Sequence, residues 1–201
     1  MKHIVSIIFI ISLFLCKAQS IIKSLDGDGS CPPYDTNCYE KDVNNEFDKF
    51  VGTWKYIEGN TELTFKLKKE LHYQTSEDSN YMDLLVGEYK YIEDGIEKVN
   101  TLTDFDDMSI TGYGHNISGS IFVHITPSYC IINSDNQEIK IKVSLTDPDD
   151  FNITGNVILR YVNEEGVEKL QVCIQDNSVL ADDENANIAI PDGYYELEKQ
   201  N

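Results

Sequence analysis

The cysteines are the residues of this chain whose spacing most directly suggests a chemical bond. Four of them lie beyond the first thirty residues, at positions 31, 38, 130 and 173. Cys31 and Cys38 enclose a short loop with two prolines, which keeps the two thiols close even in the unfolded chain. We therefore predict a disulfide between Cys31 and Cys38. Cys130 and Cys173 stand among apolar residues, where a second disulfide and two buried thiols are both compatible with the sequence.

The histidines and the acidic residues form no recognised metal-binding or catalytic motif. None of the four histidines belongs to a His-Glu-x-x-His or His-x-His pattern of a zinc site. The segment from Asp26 to Ser30 begins like a calcium-binding loop, but Cys31 stands where that loop requires glycine. Neither a Gly-x-Ser-x-Gly motif nor a glycine-rich phosphate loop is present. We therefore expect no metal, no cofactor and no enzymatic activity, and we predict that His115 and His124 are surface or turn residues.

The charge of the chain narrows the choice of partners. There are 35 acidic residues against 16 lysines and arginines, which gives a formal net charge of −19. Nucleic acid is excluded because phosphate binding requires a basic face, and anionic membranes would be repelled as well. Two interpretations of the charge remain: a solvated surface that keeps the protein soluble, or a face that binds a basic partner protein.

The first residues have the pattern of an export signal. An apolar run from Ile4 to Cys16 follows a basic start and is shorter than the ~20 residues that a membrane helix needs. Small residues around Ala18 suit a signal peptidase, so we predict a signal peptide at residues 1–18. The alternative is a lipoprotein anchored through Cys16, against which the bulky residues before that cysteine argue. We expect a periplasmic or secreted protein, in an oxidising compartment that permits disulfides and with no transmembrane segment.

Residue types and their alternation predict an all-β fold. The chain after the signal is rich in isoleucine, valine and threonine, which favour strands, and poor in alanine, the best helix former. Between Thr61 and Lys68 the apolar residues alternate with charged ones, so in a strand they would share one face. The same alternation recurs between Ile139 and Leu145. It also places Ile121 and Val123 together on one face, which we expect to point inward.

Turn signals separate these strands at short intervals. Asp94-Gly95 stands between two alternating segments and is typical of a two-residue hairpin turn. Gly59-Asn60 and the segment from Asn163 to Gly166 are further turn signals. Because the connections are short and local, we predict an antiparallel up-and-down β-barrel of about eight to ten strands, a closed arrangement without exposed sheet edges.

One helix and one domain complete the predicted organisation. Apolar residues recur at helical spacing from about Tyr39 to Val51, which predicts a short N-terminal helix. Before it, residues 19–38 are predicted as a flexible arm that carries the small disulfide loop. Residues 39–201 then form a single barrel domain, in which an acidic loop at 177–191 precedes the last strand.

The segment from Phe47 to Trp54 resembles the first-strand motif of the lipocalin superfamily. In that superfamily a short helical turn closes one end of the barrel, and a Gly-x-Trp sequence, matched here by Gly52 and Trp54, opens the first strand. The resemblance implies that Trp54 packs against an arginine or lysine from a late strand. Arg160 is the only arginine of the chain and lies on a predicted late strand. A Thr-Asp-Phe sequence at 103–105 follows Trp54 sooner than the corresponding lipocalin motif does, and no C-terminal helix follows the strands.

A longer pattern resembles a family of small secreted bacterial proteins that is described only as a domain of unknown function. The segments that carry this resemblance are Phe50–Tyr56, Gly59–Thr61, Val86–Tyr91 and Gly95–Leu102. The resemblance implies export and a shared fold, and it implies no activity.

Two functions remain compatible with an exported acidic barrel. The first is a carrier of a small apolar ligand, because a barrel of about eight strands is just wide enough to hold one. Its ligand would contact large or branched side chains at inward positions, namely Trp54, Phe65, Tyr89, Tyr91, Val123 and Val143. The second is an acidic module that binds or inhibits a basic protein, with a solid core and no ligand. Inward side chains of this size either fill the lumen or line it, and the sequence leaves both possibilities open.

Overall fold

The computed structural model describes residues 20–27, 29–130, 138–178 and 186–200. The predicted signal peptide at residues 1–18 therefore lies outside the described residues. The strands are β1 (Ile21–Ser24), β2 (Cys38–Lys41), β3 (Gly52–Glu58), β4 (Thr61–Gln74), β5 (Tyr81–Glu93), β6 (Ile96–Asn100), β7 (Ile117–Val123), β8 (Lys140–Thr146), β9 (Thr154–Glu164), β10 (Val167–Asp176) and β11 (Gly193–Gln200). Three short 3₁₀ helices span Glu46–Phe50, Leu102–Asp106 and Gly112–Gly114. In this described part of the chain, no helix is long and apolar enough to cross a membrane.

Eight of the strands close into an antiparallel barrel. Starting at β3, each strand pairs with the next in the order β3, β4, β5, β7, β8, β9, β10 and β11, and β11 pairs back with β3. The short strand β6 lies outside this ring, because it pairs with the end of β5 while β7 pairs with the middle of β5. The prediction of an all-β antiparallel barrel is confirmed, with eight strands in the ring.

The two ends of the barrel carry different connections. We call the end where β3 begins the lower end, and the end where β3 turns into β4 and β8 joins β9 the upper end. Hydrogen bonds join neighbouring connections at the upper end. The amide of Gly95 donates to the carbonyl of Asn60 at 2.9 Å, and the amide of Asn177 donates to the carbonyl of Thr154 at 2.7 Å. These bonds join the four upper connections in two pairs at the same end of the barrel.

The N-terminal segment extends the sheet beyond the ring. β1 pairs in parallel with β2, and β2 pairs in parallel with the start of β5. Residues 19–38, which the sequence suggested to be a flexible arm, thus include a strand of the sheet. Both strands lie beside the lower half of β5, because β7 occupies the same edge of β5 further along.

The structure differs from the predicted helix over Tyr39–Val51. This segment contains β2 and, after a turn, only the five-residue 3₁₀ helix Glu46–Phe50. The reason is the buried carboxylate of Asp42, which accepts hydrogen bonds from the first two amides of the 3₁₀ helix, each at 2.8 Å. These bonds hold the chain in a turn after Asp42, and Val43 faces solvent instead of continuing an apolar helical stripe.

Apolar side chains fill the barrel from one end to the other. Phe47 and Phe50 of the first 3₁₀ helix are fully buried and close the lower end. At the upper end, Ile188 and Ile190 from the β10–β11 connection join the same core, and a Cβ at Gly155 would lie only 2.6 Å from Ile188 Cδ1. The strands contribute the remaining core residues, Trp54, Leu63, Phe65, Leu67, Leu85, Tyr89, Tyr91, Val99, Ile117, Ile141, Val143, Leu145, Val157, Leu159, Leu170, Val172, Ile174 and Leu197.

Trp54 joins the lower closure to the barrel wall. Its indole is completely buried, and its Nε1 donates a hydrogen bond to the carbonyl of Phe50 at 2.8 Å. Lys199 of the last strand lies over the ring, with Nζ 5.2 Å from the ring centroid. Gly52 makes room for this lysine: its φ of +136° is unfavourable for other residues, and a Cβ there would lie 3.2 Å from the Lys199 side chain.

Lys199, and not Arg160, is therefore the cation that packs against Trp54. Arg160 projects from the outer face of β9, where its guanidinium binds both carboxylate oxygens of Glu138 at 2.9 Å and the side chain of Gln171 at 2.8 Å. The difference follows from strand alternation, because Leu159 and Tyr161 on either side of Arg160 pack on the core.

The predicted disulfide between Cys31 and Cys38 is confirmed, with a Cα–Cα distance of 5.7 Å. It closes the loop that joins β1 to β2. Cys130 and Cys173 also lie at disulfide-bonding distance, with Cα atoms 5.6 Å apart. This second pair connects the β7–β8 connection to the outer face of β10, where both residues belong to a small apolar cluster with Ile158.

Replacing Trp54 by alanine should destabilise the fold by about 3–5 kcal/mol, because the change removes a fully buried indole that both closes and braces the barrel. Thermal unfolding measures the loss, with Tyr34→Ala as the control because Tyr34 is 79% exposed. Equal melting temperatures for the two variants would contradict the role assigned to Trp54.

Replacing Cys31 and Cys38 by serine should cost no more than about 3 kcal/mol, since the closed loop is short and the barrel does not depend on it. The double variant should keep the far-ultraviolet circular dichroism spectrum of the parent protein. Peptide mapping of the unreduced parent protein should show Cys31 joined to Cys38, and a bond from Cys31 to Cys130 or Cys173 would contradict the pairing.

Candidate functional site

The residues predicted to contact a ligand lie for the most part in the packed interior. Trp54, Phe65 and Tyr89 have no accessible surface, and Val143 and Tyr91 keep 1% and 2%. A side chain that lined a cavity as large as a water molecule would retain accessible surface. These five positions are therefore filled by their neighbours.

Val123, the sixth predicted ligand residue, is on the other side of the barrel wall. A register shift between Ser118 and Ile121 reverses the alternation of β7 in its second half. As a result Phe122 packs on the barrel core, whereas Val123 packs on the outer cluster of Cys130 and Cys173.

The main pockets of the described residues are on the outside of the barrel. The largest of those found, of about 460 Å³, lies between β3 and β11. A second, of about 380 Å³, lies at the upper end between β6 and the β8–β9 connection. Neither is lined by Trp54, Phe65, Tyr89, Tyr91 or Val143.

A long crossover between β6 and β7 covers the outer face of β4 and β5. We call residues 101–116 the crossover. Its Phe105 lies between two lysines of β4, with Lys66 Nζ 4.1 Å from the ring centroid and Lys68 Nζ donating to the Phe105 carbonyl at 2.7 Å. Further along, the amide of Gly112 donates to Glu70 at 2.6 Å. The crossover thus covers strand positions that would otherwise be exposed to water.

Between the crossover and β5 lies a pair of ionisable side chains that the sequence did not reveal, one from each element. His115 Nδ1 is 2.8 Å from Oε1 of Glu88, and both side chains have no accessible surface. Glu88 Oε2 and His115 Nε2 have no hydrogen-bond partner among the described residues. The prediction that His115 is a surface or turn residue is therefore wrong about the surface: the residue ends a short 3₁₀ turn, but its side chain is buried against β5.

The Glu88–His115 pair is suited to hold the crossover on the barrel rather than to perform chemistry in its present state. It has no accessible surface through which a substrate could reach it. Within the described residues, no group of three or more histidine, cysteine or acidic side chains is arranged to hold a metal ion. The sequence did contain one indication that the outer face of β5 is buried. Leu84, Leu85 and Val86 form a continuous apolar run, which is typical of a strand buried on both faces.

The upper end of the barrel has a strongly one-sided charge. In the described parts of its four connections (58–61, 93–96, 146–154 and 176–193) we find acidic residues but no lysine, arginine or histidine. The acidic residues are Glu58, Glu93, Asp94, Asp147, Asp149, Asp150, Asp176 and Asp192. Of these, Glu93 pairs with Lys98 of β6 at 3.3 Å. We call this surface the acidic end. Phe151, which is 80% exposed, and Ile96, which is 62% exposed, project from it.

Comparison with known proteins adds a family but no activity. The sequence profile described as a family of unknown function, DUF6705, matches residues 1–200. No curated protein and no solved structure matches the chain.

The Glu88–His115 pair can be tested with a double-mutant cycle. His115→Leu and Glu88→Leu should each destabilise the protein by about 3–5 kcal/mol, because each leaves its buried partner unpaired. The double variant should cost less than the sum of the two, since it leaves no orphaned polar group. Urea unfolding measures all three variants.

The control is the exposed pair Lys90–Glu97, which involves the same strand, β5. The corresponding leucine variants should change the unfolding midpoint much less. Additive effects of Glu88→Leu and His115→Leu would show that the two side chains do not act as a pair.

Proposed function

This chain belongs to DUF6705, a family of unknown function, and from its geometry we propose that it is an exported, non-catalytic protein-interaction module that binds a basic partner protein at its acidic end. The single observation that carries the proposal is the filled interior: the inward side chains of Trp54, Phe65 and Tyr89 are fully buried, and the two ends are closed by Phe47, Phe50, Ile188 and Ile190. A barrel filled in this way offers its outer surface for binding.

The charge distribution supports a basic partner. The acids of the acidic end come from connections that are far apart in sequence but adjacent in the barrel. Like charges concentrated on one surface repel one another and attract a surface of opposite charge, which accelerates and orients association. The exposed side chains of Phe151 and Ile96 would supply apolar contacts within the same interface.

The alternative is a lipocalin-like carrier that binds a small apolar ligand inside the barrel. The closed eight-strand ring and the Gly52–Trp54 corner support a lipocalin-like shape. Such a carrier would have to open one of the two closures and move side chains such as Phe65 and Tyr89 to admit a ligand. We therefore assign the function to the outer surface.

The positions of the cysteines in the described chain support the proposal that the protein is exported. Two cysteine pairs at disulfide-bonding distance are typical of proteins in an oxidising compartment. We propose that the protein works in the periplasm or outside the cell.

A filled interior predicts that the folded protein does not bind apolar dyes. Titration with anilinonaphthalene sulfonate and with N-phenylnaphthylamine should give no saturable fluorescence increase and no change in Trp54 emission. A one-site binding curve accompanied by a Trp54 response, and weakened by Phe65→Glu, would favour the carrier instead.

The acidic end can be tested by neutralising three of its acids, two exposed and one half-buried, with side chains of the same shape. The variant Asp94→Asn/Asp149→Asn/Asp150→Asn should elute from immobilised poly-lysine at a clearly lower salt concentration than the parent protein. Asparagine at position 150 keeps the side-chain oxygen that accepts the hydrogen bond from the amide of Asn152. The matched control, Glu77→Gln/Asp78→Asn/Glu165→Gln, removes the same charge from turns at the lower end. Equal shifts for both variants would show that the charge acts as a diffuse solvated surface.

A further inference from the structure

The ring of strands is incompletely paired at the seam where its first and last strands meet. β3 pairs with β4 along its whole length, from Gly52 to Glu58, but with β11 only from Thr53 to Lys55. Above the pair of Lys55 and Glu198, residues Tyr56–Glu58 of β3 and Gly193–Leu197 of β11 are not paired with each other. We call this upper part of the β3–β11 junction the seam.

The largest pocket described above lies on the outer face of the β3–β11 junction, partly over the ladder and partly over the seam. Its volume is about 460 Å³, and it is lined by Lys55, Tyr56, Ile57, Glu196, Glu198 and Gln200. Two tyrosines close the seam on its inner side: the rings of Tyr56, which lines the pocket, and Tyr195 meet edge to face at 5.4 Å and pack on the barrel core. The seam is therefore a groove in the wall, closed on the inside.

Hydrogen bonds from their hydroxyl groups hold the two tyrosine side chains in place. The Tyr56 hydroxyl donates to Glu58 at 2.5 Å, and this bond, together with burial, raises the pKa of Tyr56 to about 12. The Tyr195 hydroxyl donates to the Pro191 carbonyl at 2.8 Å. Both hydroxyls are thus protonated at neutral pH and already bonded, so the two tyrosines close the groove without help from a ligand.

Unpaired strand edges are binding elements in their own right. An extended peptide that lies along such an edge gains main-chain hydrogen bonds, while its alternate side chains enter the neighbouring pockets. Here the walls of the groove are strand edges that the barrel itself leaves without a ladder partner. The exposed side chain of Ile57, 59% accessible, adds an apolar contact at the same place.

The charges around the groove favour a basic occupant. Lys55 is neutralised by Glu62 at 2.7 Å, and Lys169 binds Glu196 at 2.8 Å, which holds the pKa of that carboxyl below its usual range. Glu198 has no ion pair among the described residues, so the groove keeps an uncompensated negative charge where the ladder ends. Glu58 and Asp192 of the acidic end stand directly above it.

We infer that the seam is the docking site for one extended strand of the basic partner protein, which pairs with the free edge of β3 at Tyr56–Glu58 and places a lysine or arginine against Glu198. This inference rests on the proposed function, because it names where and in which conformation the basic partner binds.

A pair of synthetic peptides separates strand docking from simple charge attraction. The probe is an eight-residue peptide of alternating lysine and valine with blocked ends. The matched control peptide has the same sequence with N-methyl groups on alternate amides. These groups leave the charge unchanged and remove main-chain hydrogen-bond donors. Calorimetry should show that the plain peptide binds and that the N-methylated peptide binds at least ten times more weakly. In hydrogen exchange, amides among Tyr56–Glu58 should become protected only by the plain peptide.

Closing the seam should abolish this binding. If the ladder continued, Ile57 would face Glu196, so Ile57→Cys/Glu196→Cys places a disulfide across the groove. The oxidised variant should bind at least ten times more weakly than its own dithiothreitol-reduced form, which has the same side chains and charge, whereas the reductant should leave the binding of the parent protein unchanged. Glu198→Gln should weaken binding, and Glu164→Gln at the lower end should not.

The possible results distinguish the two proposals. Equal binding of the plain and N-methylated peptides, or no binding of either, would overturn strand docking at the seam. The acidic end would still be judged separately by its elution from poly-lysine. A third result is also informative: the two triple variants elute at the same salt concentration, but the plain peptide still binds at the seam. That result would overturn the proposal that the acidic end binds the partner, and it would leave the proposal of strand docking at the seam standing.

Discussion

The burial of β5 on both faces is the constraint on which the rest of the structure depends. From Asp83 to Tyr89 every residue of this strand is buried, although the inner face alone belongs to the barrel core. The outer face therefore needs a cover, which the crossover supplies, and the polar groups on it need partners, because a buried unpaired carboxylate is costly. Glu88 is met by His115. Asp83 alternates with Leu85 and so lies on the inner face at the lower end, where its carboxylate accepts hydrogen bonds from the Tyr39 hydroxyl, the His72 amide and the Asp42 amide, which fastens the N-terminal segment to the barrel.

In a barrel built in this way, the residues that stabilise the fold are distinct from the surfaces proposed for binding. The interior and the covered face of β5 hold the fold together, and the closures cover the interior at both ends. The features that stay available are on the outer wall: the acidic end, with its carboxylates and exposed Phe151, and the seam between β3 and β11. The two lie next to each other, so a single basic partner with one extended segment would contact both. A carrier function would instead require the core to move.

Local sequence was sufficient for those features that depend only on neighbouring residues. Alternation of apolar and polar residues identified the strands and their inward faces, as at Phe65, because a side chain on a strand changes face at every residue. The antiparallel pairing of β3 with β4, of β5 with β6 and of β9 with β10 followed from short turns, whereas long connections join β6 to β7, β7 to β8 and β10 to β11. Gly52 and Trp54 marked the corner at the lower end, and the short spacing of Cys31 and Cys38 marked their disulfide.

What the sequence alone determined about this protein is thus its all-β class, its antiparallel connectivity, its negative charge and the bond within the small loop, each of which is a matter of composition or of local spacing. Only the tertiary structure decided which surfaces face water. The shift in β7 turned Val123 outward, the crossover buried His115, and the last strand placed Lys199 instead of Arg160 against Trp54. The tertiary structure also brought distant turns together at the acidic end, and it left β3 and β11 unpaired at the seam. These outcomes depend on which segments meet after the ring closes, and no local pattern contains the positions of residues that are far apart in the chain.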